Sequence, residues 1–254
     1  MRRIALLALL WLGACAQTPP ESSADAGGAT RNEASYRAQV HTELAAQYYT
    51  RGQYSVAFAE VKAALASEPG HAPAYNVLAL VHARLREERQ AEESFRKAID
   101  LAPTYSEVRN NFGYYLCQRQ RYGDGLAQFE AALQNPLYAS PEKAAANAGL
   151  CALHKGDQGL AENYLQRALA RARNQPTALL GMAELEMGRR NPVGARSYLT
   201  RLFDSNEFKP QAQWLGVRVE RALGNRDAEA AHGLRLRRDH PESAEVRLLL
   251  DGRY

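Results

Sequence analysis

The chain has 254 residues, of which 46% are hydrophobic, 24% charged and 8% aromatic, with 18 Gly and 11 Pro. This ordinary globular composition excludes wholesale disorder, a collagen-like fibre and a disulfide miniprotein. Lys and Arg total 32 against 28 for Asp and Glu, a surplus too thin for a dedicated nucleic-acid binder, and 3 Cys leave room for one pair but not for a zinc ribbon.

Residues 1–14 open with Met1-Arg2-Arg3, continue as an almost unbroken apolar run from Ile4 to Leu12, and close on Gly13-Ala14 before Cys15. A charged start, a short apolar core and small residues at a cut site describe a signal peptide. The run is about half the ~20 residues that span a bilayer, which argues against a permanent transmembrane helix. Leu12-Gly13-Ala14-Cys15 resembles the lipobox of bacterial lipoproteins. That resemblance implies acylation of the Cys15 thiol and cleavage just before it, with ordinary cleavage and a free thiol as the alternative. Acyl chains contribute about 0.8 kcal/mol per buried methylene, so a multiply acylated Cys15 would hold the protein on a membrane stably. Ala16 rather than Asp follows the Cys, and in Gram-negative sorting this implies the outer membrane.

Residues 15–35 hold Pro19, Pro20, Ser22, Ser23, Gly27 and Gly28 among Ala and Thr, a composition expected to form a flexible tether. The folded domain is expected over 36–254. Its apolar residues recur at helical spacing, without a convincing period-2 strand, so the chain reads as all-α.

Self-similarity at 34 residues is the stronger signal. Pro69 and Pro103, then Leu44, Leu78 and Phe112, then Ala57, Ala91 and Gly125, then Val61, Phe95 and Phe129 each fall one period apart. Small residues allow two helices to cross closely, aromatics fill the volume beside the crossing, and a proline ends the second helix. The pattern resembles the tetratricopeptide repeat. It implies a solenoid of about six helix-turn-helix repeats in a right-handed superhelix, near 38–71, 72–105, 106–139, 142–175, 176–209 and 210–243. Pro136 to Pro141 adds two residues to one inter-repeat turn, and a short helix from Ser243 to Leu250 is expected to close the array.

No phosphate loop, dinucleotide turn, His-Glu-x-x-His helix or nucleophile elbow is present in the sequence, so an enzyme, a cofactor, a metal or a small-molecule substrate is not expected. The six His are scattered over different repeats, and the Arg-rich stretches around Arg189 and Arg235 read as solvated faces. Cys117 and Cys151 fall late in the first helices of repeats three and four, beside the small Gly113 and Gly149. They can stand as two buried thiols; an exported protein meets an oxidising compartment, which makes a disulfide the favoured reading.

In tetratricopeptide arrays the first helices line a concave groove. Carried onto this chain, that implies partner-binding residues Thr42, Tyr49, Asn76, Leu80, Asn110 and Tyr114, with Asn76 and Asn110 one period apart and able to pair with an extended peptide's backbone or simply to stand in solvent. The two-carboxylate clamp of chaperone cochaperones lacks its Lys and Asn here.

The lipobox, the tether and an array filling the rest, together with Asn110-Asn111-Phe112-Gly113-Tyr114-Tyr115-Leu116, Asn135-Pro136-Leu137-Tyr138 and Asn174-Gln175-Pro176, resemble the PilW/PilF family of type IV pilus biogenesis lipoproteins, the secretin pilotins. That resemblance implies a noncatalytic outer-membrane lipoprotein facing the periplasm, which binds pilus secretin subunits and assists their localisation and multimerisation. A tetratricopeptide lipoprotein scaffold for β-barrel assembly or for cell-wall hydrolases is the alternative.

Overall fold

The computed structural model describes residues 23–206 and 208–253. The expected signal peptide, Cys15 and the start of the tether lie outside the described residues. Among those described, the chain forms thirteen α-helices and no strand: α1 (Ser23–Thr50), α2 (Tyr54–Ser67), α3 (Ala72–Arg84), α4 (Glu88–Leu101), α5 (Ser106–Gln118), α6 (Tyr122–Leu133), α7 (Pro141–Lys155), α8 (Gln158–Arg171), α9 (Pro176–Gly188), α10 (Pro192–Asp204), α11 (Pro210–Ala222), α12 (Arg226–Asp239) and α13 (Ala244–Leu250). Each odd-numbered helix up to α11 packs on the even one after it, and successive odd-numbered helices also touch. This is the two-layer stacking of a tetratricopeptide solenoid.

One correction falls at the N-terminus. The tether expected over residues 15–35 is helical from Ser23 onward, as the leading part of α1. Ala24, Ala26, Ala29 and Ala34 are strong helix formers that offset Gly27 and Gly28, and a helix already nucleated by packing extends at little cost. The packing itself starts where the repeat frame does, with Ala38 the first fully buried side chain.

The helix punctuation follows from local chemistry. Glu68 and Ala102, each just before a proline, adopt ψ of 97° and 81° and end α2 and α4, because the proline ring disfavours the helical conformation in the preceding residue. Pro73, Pro141, Pro176, Pro192 and Pro210 occupy first-turn positions, where no backbone donor is missed. Within each repeat the turn between its helices passes through one residue of positive φ: Gly52, Arg86, Gln120, Gly156, Arg190 and Gly224, at 74°, 63°, 61°, 89°, 60° and 73°. Their spacing repeats the 34-residue period, with the two-residue insert falling between Gln120 and Gly156.

The crossings inside the pairs are closed by small residues. Ala45, Ala57, Ala79, Ala91, Ala161, Ala183 and Ala195 are all fully buried. At the third crossing a Cβ on Gly113 would stand 2.9 Å from the carbonyl oxygen of Gly125, so neither position has room for a larger residue. Phe95 stacks on Phe112 with ring centroids 5.0 Å apart and fills the space beside α3 and α4. In the sixth repeat the crossing is built differently: the His232 ring lies where a Cβ on Gly216 would project, 3.0 Å away.

Candidate partner-binding groove

The first helices α1, α3, α5, α7, α9 and α11 present one face to a concavity that runs the length of the array. Its first section is lined by Tyr49, Asn76, Leu80 and Tyr105, and the next by Leu80, Tyr114 and Arg119. Beyond these, Tyr114, Leu150 and His154 line a third section. The fourth, about 510 Å3, is bounded by Tyr114, Asn147, Leu150, Leu180 and Lys209. Tyr114 borders three of these sections and is 49% exposed, which puts an aromatic ring with a polar tip at the centre of the groove.

Of the residues expected to contact a partner, Tyr49, Leu80 and Tyr114 line the concavity with accessible surface. Tyr49 is held in place: its hydroxyl accepts a hydrogen bond from Arg84 Nε at 3.2 Å, and its ring lies 5.7 Å from that of Tyr54. The Tyr49 hydrogen bond also raises the Arg84 pKa above its ordinary value.

Thr42, Asn76 and Asn110 correct the expectation. They are 7%, 5% and 5% exposed, so they form the floor rather than a free recognition surface. The Thr42 hydroxyl donates to the Ala38 carbonyl at 2.7 Å. The asparagines belong to an amide ladder crossing three helices. Asn147 Nδ2 donates to Asn110 Oδ1 at 3.0 Å, Asn110 Nδ2 to Asn111 Oδ1 at 3.5 Å, and Asn111 Nδ2 to Asn76 Oδ1 at 3.1 Å. Asn76 in turn bonds the Tyr105 hydroxyl, whose pKa is raised mainly by burial. Every step satisfies a buried polar group that water no longer reaches, so the ladder ties the first helices of repeats two, three and four together.

Asn111 and Asn147, the ladder members that border the fourth section of the groove, were not expected from the sequence. Their signal was available: they are one repeat period apart once the two-residue insert is counted.

That insert is itself rigidly built. Asn135 Nδ2 donates to the Thr104 carbonyl and the Ser106 hydroxyl, both at 2.9 Å, while the Tyr138 hydroxyl donates to Glu107 at 3.0 Å. Burial beside that carboxylate pushes the Tyr138 pKa far above the ordinary tyrosine range. Next to it, Cys117 of α5 and Cys151 of α7 meet with Cα atoms 5.7 Å apart, and the structure joins them as a disulfide. Gly125 makes room for it, since a Cβ there would collide with Cys117 Sγ. The bridge lies against the third section of the groove, which both cysteines help to line.

Histidines and arginines are mostly engaged in pairs along the outer surfaces. His41 meets Glu60 at 2.7 Å, Arg189 meets Glu162 at 2.5 Å, and Arg196 forms two bonds to the buried Glu220. Among the described residues no three His, Cys, Asp or Glu side chains group as metal ligands, and no helix is long and apolar enough to cross a membrane.

A tetratricopeptide-repeat family model matches residues 72–105, the span of α3 and α4 with the turn that follows. The chain is 31% identical over 206 residues to the type IV pilus assembly protein PilF of Pseudomonas aeruginosa, covering 81% of this chain and 82% of that protein. Among solved structures it is similar to PilW, a widely conserved type IV pilus biogenesis factor, with 32% identity, a TM-score of 0.72 and coverage of 84% of this chain and 98% of that one. The solved structure of Pseudomonas aeruginosa PilF gives 30% identity, a TM-score of 0.71 and coverage of 88% and 99%.

Proposed function

The chain belongs to the PilF/PilW family of type IV pilus biogenesis proteins, and on that basis we propose that it is an outer-membrane lipoprotein that binds secretin subunits and assists their localisation and multimerisation. A role in type IV pilus biogenesis through protein–protein contacts follows from the family and from the tetratricopeptide fold, which is that of a noncatalytic scaffold. The lipid anchor, the secretin partner and the outer-membrane address are our reading of the sequence around Cys15 and of the groove.

The observation that carries the partner reading is the uninterrupted concavity centred on Tyr114. Tyr49, Leu80, Tyr114, Leu150 and Leu180 offer apolar surface along it, and the groove is held open by helices locked through the amide ladder and the disulfide. An extended segment laid across successive first helices would bury this surface without having to reorganise the protein, which keeps the cost of binding low. The N-terminal sequence would supply the membrane anchor, so the groove would meet its client in the periplasm.

The test is complementation of a strain lacking the gene. Wild-type protein should restore heat-resistant secretin multimers in outer-membrane fractions, whereas Cys15→Ser and Tyr114→Ala should fail to, at equal protein levels. Normal multimers in the deletion strain would refute the secretin reading. Full rescue by Cys15→Ser would refute the anchor.

A further inference from the structure

The groove has a register that the repeat frame makes explicit. Ala46, Leu80, Tyr114, Leu150, Glu184 and Arg218 occupy one equivalent position of six successive repeats, spaced by 34 residues except where the two-residue insert intervenes. The first four line the sections described above. On α9, Leu180 faces the fourth section, and Glu184 lies one helical turn further along that face. Gln211 of α11 lines the same section, and Arg218, two turns on, continues its face. A segment running along the row would therefore leave a series of apolar contacts and arrive at Glu184.

Glu184, like half-buried Glu142 and Glu245, lacks the cation partner that many other acidic residues of the molecule have. Glu60, Glu88, Glu92, Glu130, Glu162, Glu186 and Glu220 each meet a cation within 4.0 Å. Half-buried Glu184 has no hydrogen-bond or ion-pair partner among the described residues, with Arg218 the one charge that acts on it, and through space alone. Burial raises its carboxyl pKa above the ordinary value, and Arg218 only partly opposes that. A desolvated carboxylate without donors costs stability. Such a group gains most when a partner brings the missing donor.

We propose that Glu184 is a specificity-determining residue of the groove, which receives a Lys or Arg side chain of the bound segment after the apolar residues seated on Leu80, Tyr114 and Leu150. This deepens the secretin reading and rests on it: it assigns the client segment a chemistry, apolar residues followed by a cation, and a direction along the array. Arg218, in the next repeat, repels a second cation and limits the site to one.

Binding of the purified periplasmic region of the secretin to the purified periplasmic domain would test it, by calorimetry at low and moderate salt. Glu184→Gln should weaken binding about tenfold and flatten its salt dependence, Glu184→Lys should weaken it further, and Arg218→Gln should leave it equal or tighter. Thermal unfolding should show Glu184→Gln folded and at least as stable as wild type, which separates lost recognition from lost structure. Weakening by Tyr114→Ala with no effect of either Glu184 variant would overturn the inference and leave the groove reading intact. Weakening by Arg218→Gln in place of Glu184→Gln would also overturn it, by assigning an anion. Unchanged binding in all of them, Tyr114→Ala included, would remove the groove reading itself.

Discussion

Asn147 on α7 donates its side-chain amide to Asn110 on α5 across 3.0 Å, and Asn110 is only 5% exposed. This contact links the first helices of repeats three and four at the groove floor. Asn110→Ala would remove two ladder hydrogen bonds, to Asn147 and to Asn111, each worth about 0.5–1.5 kcal/mol net. A fall in melting temperature of about 2–10 °C is expected, read by circular dichroism. Asn110→Ala with an unchanged melting temperature would mean that the ladder contributes nothing.

The Cys117–Cys151 bridge closes a 34-residue separation between the same two helices. Its removal should cost about 3–4 kcal/mol by restoring freedom to the unfolded chain. Unfolding by urea with and without reductant, compared with the Cys117→Ala/Cys151→Ala variant, measures this. The reduced wild type and the double variant should unfold at similar, lower urea concentrations than the oxidised protein.

Six turns need the same left-handed backbone, yet only three of them have glycine. Non-glycine residues pay about 1–2 kcal/mol there, and glycine returns about 0.5–1 kcal/mol of that through its looser unfolded chain. Gln120→Gly should therefore stabilise by up to about 1 kcal/mol, and Gly156→Ala should destabilise by a similar amount or more. Opposite signs in the two unfolding curves are the diagnostic result.

Burial lowers the His232 pKa below its ordinary value, with Glu220 opposing and Arg235 adding to the shift. The unfolded chain then binds a proton that the folded one resists. Stability from this group is intact above the ordinary histidine pKa of about 6.5 and is lost as pH falls through the folded value. The unfolding midpoint should drop between pH 7 and pH 5, and His232→Gln should flatten that drop. An NMR titration placing His232 at or above the ordinary value would contradict the packing argument.

The repeat frame was legible because it is written in small residues, aromatics and prolines whose spacing the fold cannot alter: Ala57, Ala91, Phe95 and Pro69 all do what their offsets imply. The groove was legible only in part. Position within a helix says which face a side chain is on, so Tyr49, Leu80 and Tyr114 came out facing the concavity. It does not say how closely the neighbouring helix approaches, and that approach buries Asn76 and Asn110 in the ladder. The helix from Ser23 escaped for another reason: two glycines and nearby prolines outweighed the alanines in a local reading, while the packed helix that follows supplies the nucleus such a reading lacks.

The most direct test of the central claim is site-specific photocrosslinking in living cells, with the photoreactive residue at Tyr114 in the groove or at Gln166, exposed on α8 on the opposite layer. Crosslinks to the secretin from position 114 and none from 166 are the predicted result. Secretin captured equally from both positions, or from neither while another envelope protein is captured at 114, would contradict the account.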